Sequence, residues 1–239
     1  MDIIQSFYYS SDNNRQQEIE HTLNSNLNKE YVKCIHLFIE ENDYELFINS
    51  LFITHEKYNK ITLVKVEGQP TYPDLFTYGC YLENKNCCIC NSDIEFNIEN
   101  NDMRLLERLY NDKVVYFLTR HEYDMSCPLI TNFGGSHDAF MFHSNTLRST
   151  IHNADFSFIN YIQNTSGIEA LLTLFFIEKL HYKIFNPCFQ IKLIHHHQSH
   201  VRLWNRTTTG QNTVGYTHPT PLNVTWGVHN KHMCYPCKL

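Results

Sequence analysis

The sequence predicts an α/β protein built on a parallel sheet with crossover helices, and two observations carry the prediction. Strand-like and helix-like segments alternate through the first ~120 residues. The strand-like runs are short and apolar, the pattern of strands buried within a core. In such sheets ligands sit beyond the carboxyl ends of the strands, where the strand order switches.

Ile3 to Tyr8 is the first strand-like run, starting almost at residue 1. Ser11, Asp12 and Asn13 then offer N-caps, and Ile19, Leu23 and Leu27 fall at i, i+4, i+8 of an amphipathic helix. Tyr31 to Ile39 reads as a strand, and a polar helical segment follows around Tyr44 to Leu51. A further strand is expected at Ile61 to Val66. Pro70 and Pro73 punctuate the chain before a helix over Tyr72 to Leu82. Cys87 to Asn91 is a compact apolar strand that runs into Ser92-Asp93, followed by a short helix at Leu105 to Tyr110 and a buried strand at Val114 to Leu118.

The second half is less regular. Ser126 to Asp138 reads as a loop. A helix over Gly167 to Leu180 sets Ile168, Leu171, Leu172, Phe175, Phe176 and Leu180 on one face, a spacing that fits burial against the sheet. Ile191 to His195 is strand-like, and the Thr-, Gly-, Pro- and Asn-rich tail after Arg202 reads as loops. Neither an internal repeat nor a linker divides the 239 residues, so one domain is expected.

Hydrophobic residues make up 42% and charged residues 18%, an ordinary globular balance. The net charge of -6, with no basic run longer than two residues, argues against a nucleic-acid backbone binder. No apolar stretch approaches the ~20 residues needed to span a bilayer. Met1 leads directly into the first strand, so no signal peptide is expected. Nine cysteines without a secretory signal read as reduced thiols in a cytoplasmic setting.

Two segments and four isolated residues could carry chemistry. Cys90-Asn91-Ser92-Asp93 lies where an apolar strand empties into a loop, a position from which a carboxylate can hold a divalent cation that neutralises a diphosphate. Taken alone, an Asp in that place is more often a cap or turn residue. His195-His196-His197-Gln198-Ser199-His200 is the most unusual stretch; strand alternation puts His195 and His197 on one face and His196 on the other. A surface histidine cluster and a zinc site shared with Cys234 and Cys237 are the competing readings, although the spacings do not match a zinc finger. Asp138 at a glycine-flanked bend, Glu169 in a first helical turn, and Arg120 and Arg202 complete the candidates, each with an ordinary structural explanation beside it.

In chain order these fragments resemble a family of GT-A-like glycosyltransferases found in large DNA viruses and in some algal and bacterial genomes. The resemblance runs from Ile3–Tyr8 and Asn14–Ile19 through Tyr72-Pro73-Asp74-Leu75-Phe76 to Cys90–Phe96, which looks like the family's "ANSDIYF" version of the DxD metal motif. Leu118-Thr119-Arg120 resembles "LSR", and Gly135–Phe142 resembles "DSQDVWIF". Gly167-Ile168-Glu169 stands where the family has "GCDN", and Asn186-Pro187 with His195-x-His197-x-Ser199-x-x-Arg202 looks like its closing segment. Two departures stand out: the DxD is reduced to Asn91-Ser92-Asp93, and Glu169 replaces an Asp-Asn pair.

The resemblance implies a GT-A-like mixed, mostly parallel central sheet flanked by helices. Residues 1–120 would form a Rossmann-like nucleotide-binding half, and residues 121–239 an acceptor and catalytic half with a C-terminal tail. It implies transfer of a sugar from a nucleoside diphosphate donor, UDP above all, to a glycan or glycoprotein hydroxyl, assisted by Mn2+ or Mg2+. Asp93, His195 and His197 would hold the cation. Gln5, Phe7, Tyr8, Arg15, Tyr72, Asn91, Ser92, Arg120, Ser199 and Arg202 would meet the donor, and Asp138 or Glu169 would serve the chemistry as base or charge stabiliser. A binding module of the same fold with reduced catalysis is the alternative.

Overall fold

The fold is taken from a computed structural model that describes residues 1–50, 55–99, 102–111, 113–130, 137–163, 165, 167–201, 226–228 and 234–236. Its main sheet has seven strands. In chain order these are β1 (Asp2–Phe7), β2 (Cys34–Glu40), β3 (Ile61–Val66), β4 (Asn86–Cys90), β6 (Val114–Leu118), β8 (Ala139–His143) and β9 (Lys183–Phe185). They lie in the order β3-β2-β1-β4-β8-β6-β9, and β8 alone runs against its neighbours. The expected parallel sheet with crossover helices is therefore present as a mixed, mostly parallel one.

From β1 the chain builds outward through β2 to β3, then returns to place β4 on the other side of β1. β1 and β4 are parallel, with Asp2 opposite Cys87, so their carboxyl ends open the switch point at one edge. Three short strands make a second sheet there: β5 (Ile94–Ile98), β10 (Ile191–His195) and β7 (Arg120–Glu122). β10 runs antiparallel to β5 and parallel to β7, which sets His195 opposite both Ile94 and Glu122.

Helices cover both faces. α1 (Asn13–Leu27) is capped by Asp12, whose side chain accepts the Arg15 amide, and it buries Ile19, Leu23 and Leu27 as the i, i+4, i+8 pattern requires. α2 (Glu41–Ile48), the short α3 (His55–Tyr58) and α5 (Leu105–Asn111) follow. α4 (Tyr72–Tyr81) starts in a capping box between Thr71 and Asp74, with Pro73 in its first turn. α6 (Ser144–Ile151) and α7 (Ile168–Leu174) complete the set.

Strand alternation divides the core into two. On β4, Cys88 and Cys90 face the cluster under α1, whereas Cys87 and Ile89 face the one under α4 and α7. The second cluster is rich in aromatic rings. Phe117 meets Phe140 edge to face at 4.8 Å and Phe176 at 5.4 Å, and Phe76 reaches Phe140, Phe142 and Phe176. Each such ring contributes on the order of 1.5–3 kcal/mol by burial.

Several local expectations change. The second strand begins at Cys34 rather than Tyr31, because Val32 closes a turn onto Lys29 and the Tyr31 hydroxyl is spent on the Phe96 carbonyl. The helix expected to Leu180 keeps α-geometry only to Leu174 and continues as a π-turn over Phe175–Lys179, closed by the Leu180 amide on the Phe175 carbonyl. Its apolar face is buried as expected. Within the tail read as loops, β11 (Trp226–Val228) and β12 (Cys234–Pro236) pair antiparallel. No helix among the described residues is long and apolar enough to cross a membrane. Cys34, Cys80, Cys87, Cys88, Cys90, Cys127 and Cys188 are free thiols, and burial pushes Cys80 and Cys188 up to about 12.

Candidate active site

The turn between β4 and β5 delivers Asp93 to the switch point, 4% exposed. The main chain holds it there: the His196 amide donates to the Asp93 carbonyl at 2.9 Å, extending the β10–β5 ladder by one step. Strand alternation then does the rest. His195 and His197 both turn toward Asp93, their rings stacked at 5.3 Å and 5° apart, while His196 turns the other way toward Glu95. The paired-face expectation for the histidines is thereby met, and a surface cluster is excluded for His195 and His196, which are 7% and 5% exposed.

Asp93 Oδ2 is the focus of three cationic or ionisable partners. Arg15 Nη2 lies at 2.7 Å, His195 Nε2 at 3.2 Å and His197 Nδ1 at 3.5 Å. Oδ1 is buried with no hydrogen-bond partner, as are both ring nitrogens of His197. The last contact is therefore electrostatic rather than a hydrogen bond. Burial alone would raise the Asp93 pKa, but the facing imidazoles of His195 and His197, with the Arg15 charge, hold it well below the carboxylate range. Burial would likewise lower His195, yet Asp93 on one nitrogen and Glu122 on the other, at 3.1 Å, raise it to about 9.

The charges continue as an alternating chain. Glu122, brought to about 2 chiefly by its bond from His195, also receives Arg120 Nε at 2.8 Å. Arg120 Nη1 reaches Asp138 Oδ1 at 3.1 Å, and Asn91 Nδ2 donates to the same oxygen at 3.5 Å. Glu169, in the first turn of α7, stands within electrostatic reach of Asp138 and Arg120; burial first, and then the Asp138 charge, raise its carboxyl to about 8. Burial followed by the charges of Glu169 and Asp138 raises the Tyr72 phenol well above its usual value, so that ring borders the same acids.

On the other side, Arg15 is locked in place. Its Nε donates to the Tyr8 hydroxyl at 3.3 Å, and its Nη1 to Glu18 at 3.1 Å and to the His196 carbonyl at 3.2 Å. Glu18 in turn takes both the amide and the hydroxyl of Ser199.

Thus Tyr8, Arg15, Asn91, Asp93, Arg120, Asp138, His195, His197 and Ser199 form one connected network, with Glu169 and Tyr72 beside it. Gln5 is fully buried under it, accepting from the Cys90 thiol at 3.7 Å with its Nε2 unpartnered, and Ser92 is buried in the turn. Phe7 departs from the expected grouping. At 2% exposure it packs on Tyr9 and Phe47 in the core, because its side of β1 faces α1 and α2. Arg202, the Cys237 of the alternative zinc site and the Gly134-Gly135 bend lie outside the described residues.

Four members were not anticipated. Glu18 is three residues after Arg15 on the same helix face, and Glu122 two after Arg120 on the same strand face, spacings that do signal a partner. Glu95 and His21 carry no such signal, since both depend on how α1 packs on β5.

No family model matches the chain, and no curated protein matches it either. Among solved structures it is similar to GalNAc-T7 with UDP, GalNAc and Mn2+, at 9% identity and a TM-score of 0.52, covering 88% of this chain and 44% of that one. It is also similar to S. aureus TarS in complex with UDP-GlcNAc, at 12% identity and a TM-score of 0.46, covering 92% and 58%. A third is 4-diphosphocytidyl-2C-methyl-D-erythritol synthase from Anaerococcus prevotii, at 11% identity and 0.45, covering 77% and 85%. The likeness to GalNAc-T7 is one of fold: the chain has a GT-A-like fold and spans less than half of that relative's length.

Proposed function

We propose that the chain is a glycosyltransferase that moves a sugar from a nucleoside diphosphate donor, UDP-linked, to a hydroxyl of a glycan or glycoprotein. The observation that carries the reading is the Asp93–His195–His197 cluster at the carboxyl end of β4, because it holds unused ligand atoms. Asp93 Oδ1 and the His197 nitrogens are buried without hydrogen-bond partners, which is costly unless something else takes them up. One carboxylate and two imidazoles can hold a first-row divalent cation; of the ions that the family resemblance implies, the set fits Mn2+ better than the harder Mg2+. When bound, such an ion supplies charge stabilisation to a departing diphosphate. Binding it requires His195 to give up the proton it otherwise keeps up to about pH 9.

The chain's own groups would then divide the work. Arg120, held by Glu122 and Asp138, presents a fixed guanidinium to donor phosphate or sugar. Glu169, with its carboxyl near 8, accepts a proton from the acceptor hydroxyl close to neutral pH, a better match for a general base than a strongly acidic carboxyl. Asp138, engaged by Arg120 and Asn91, holds negative charge beside the sugar. Residues 1–120 and 121–239 serve as donor and acceptor halves of one domain, and the reduced thiols suit a cytoplasmic setting, the host's if the chain is viral as the motif resemblance implies.

The test is hydrolysis of, or transfer from, a panel of nucleotide sugars with Mn2+ or Mg2+. Turnover that requires Asp93 supports the proposal; neither turnover nor metal-dependent UDP binding would reject it. The Arg15–Asp93 pair at 2.7 Å, which already neutralises the carboxylate, favours one second reading: a nucleotide-binding module without catalysis. Metal-independent UDP binding without turnover would select that reading.

A further inference from the structure

The side of the histidine segment facing away from Asp93 holds a second cluster. His21 of α1, Glu95 of β5 and His196 offer one ligand atom each, all within 4.8 Å of one another. His196 Nε2 lies 2.9 Å from Glu95 Oε2. Tetrahedral zinc with bonds of about 2.0–2.2 Å sets neighbouring ligand atoms roughly 3.3 Å apart, so this pair is nearly at coordinating separation. His21 is exposed, its ring 5.0 Å from that of His196, and its ligand atom stands within 4.8 Å of the other two.

The surroundings orient the ligands in the way supporting groups around a metal do. Ser25 at 2.6 Å and Lys29 at 3.1 Å both engage Glu95 Oε1, which leaves Oε2 directed at His196. Tyr123 lies over the His196 imidazole at 4.3 Å and 31°, fixing its plane. Asn26 bonds both the Ile94 carbonyl and the Phe96 amide, so α1 and Glu95 keep a constant spacing. An open groove of about 380 Å3, bordered by His21, His196, Tyr123, Gln198 and Ser199, lies alongside and leaves room for a fourth ligand.

We propose that His21, Glu95 and His196 form a Zn2+ site with its fourth position open to this groove. Two imidazoles and one carboxylate are a zinc donor set, and the imidazoles disfavour the harder Mg2+. The ion would fasten the 195–197 segment to α1 and β5, and so set the orientation of His195 and His197 on the opposite side. The proposal does not depend on the transferase reading, since it concerns different atoms.

The experiment titrates Zn2+ alone into purified full-length protein by calorimetry, with wild type, His21→Ala and Asp93→Asn compared. His21→Ala is an exposed helix position where alanine is well accepted, and thermal unfolding checks that it folds. Expected is one equivalent of Zn2+ lost, or its affinity reduced at least 100-fold, in His21→Ala, and that same equivalent kept in Asp93→Asn whatever Zn2+ the Asp93 cluster itself gives up. A rise in melting temperature with Zn2+ should likewise appear in wild type and vanish in His21→Ala. Glu95→Gln, which removes the anionic ligand and leaves His21 in place, should reproduce the loss. Zinc binding that is identical in wild type and His21→Ala, or that disappears only in Asp93→Asn, would overturn the site. Binding lost in His21→Ala and kept in Asp93→Asn upholds it even if no cation ever binds at Asp93.

Discussion

Replacing Arg15 by glutamine should weaken the fold while strengthening cation binding, two effects of opposite sign from one substitution. The guanidinium meets Asp93 Oδ2 at 2.7 Å, and both side chains are 6% exposed. Breaking a pair buried this deeply costs about 3–5 kcal/mol when the remaining charge is left alone. Here His195 stays at 3.2 Å from the same oxygen, so the expected loss is smaller, about 2–3 kcal/mol. A double-mutant cycle with Asp93→Asn in urea unfolding should return a coupling of about 1–3 kcal/mol. The gain in cation affinity follows from the same geometry. A guanidinium roughly 5 Å from a bound divalent ion repels it by up to about 7 kcal/mol at an effective dielectric constant of ~20, an upper limit that the neighbouring carboxylates reduce, so Mn2+ measured calorimetrically without nucleotide should bind at least on the order of 100-fold tighter. Unchanged or weaker Mn2+ binding in Arg15→Gln would refute the placement of the cation at Asp93. A stability change within about 0.5 kcal/mol would refute the energetic role of the pair.

Three further outcomes are expected. Gly79→Ala builds a Cβ 2.6 Å from Phe142 Cζ and 2.9 Å from Ile4 Cδ1; over-packing of about 1–3 kcal/mol outweighs the ~1 kcal/mol of helix propensity gained, and the urea midpoint should fall with an unchanged slope. His36 bears on stability through pH. Burial would lower its pKa, but Asp2 Oδ2 at 3.5 Å and Cys34 raise it from 6.5 to about 9, so its contribution is complete below pH 6.5 and is lost as pH rises through 9. The stability gap between wild type and His36→Gln should accordingly be largest near pH 6, up to roughly 3 kcal/mol, and close above pH 9; a gap that widens with pH contradicts the assignment. Glu169→Gln should lower kcat about 10²–10⁴-fold. Because a base works deprotonated, the wild-type rate should climb with pH to a plateau above about 8, and a profile flat from pH 6 to 9 would remove Glu169 from that role.

The central elements were legible because their signals are local. Ile3 to Tyr8, Cys87 to Asn91 and Val114 to Leu118 are apolar on both faces, as strands between two helical layers must be, and each appears within a residue or two of the expected place. The i, i+4, i+8 spacing of Ile19, Leu23 and Leu27 defined α1 for the same reason. The short strands β5, β7 and β9 escaped notice. Their three to five residues carry too little periodicity of their own, and they exist because β10 and β6 offer edges to pair with. The antiparallel course of β8 was equally hidden, since a run such as Ala139 to His143 reads the same in either direction. Phe7 was grouped with the donor residues because it sits in the N-terminal strand; which face of β1 it takes was visible only once α1 and α2 were packed.

By itself the sequence determined the class of fold, the alternation that turns His195 and His197 one way and His196 the other, and the placement of Asp93 just past a buried strand. These are properties of neighbouring residues, and the two-residue period of a strand or the cap of a helix suffices to express them. Only the tertiary structure decided that Arg15, 78 positions away, would meet Asp93, that Glu122 would bridge His195 to Arg120, and that His21 would stand beside Glu95 and His196. Those contacts depend on which strand edge pairs with which and on how α1 lies across β5. Such choices are made by the burial of the whole core, and no local pattern encodes them.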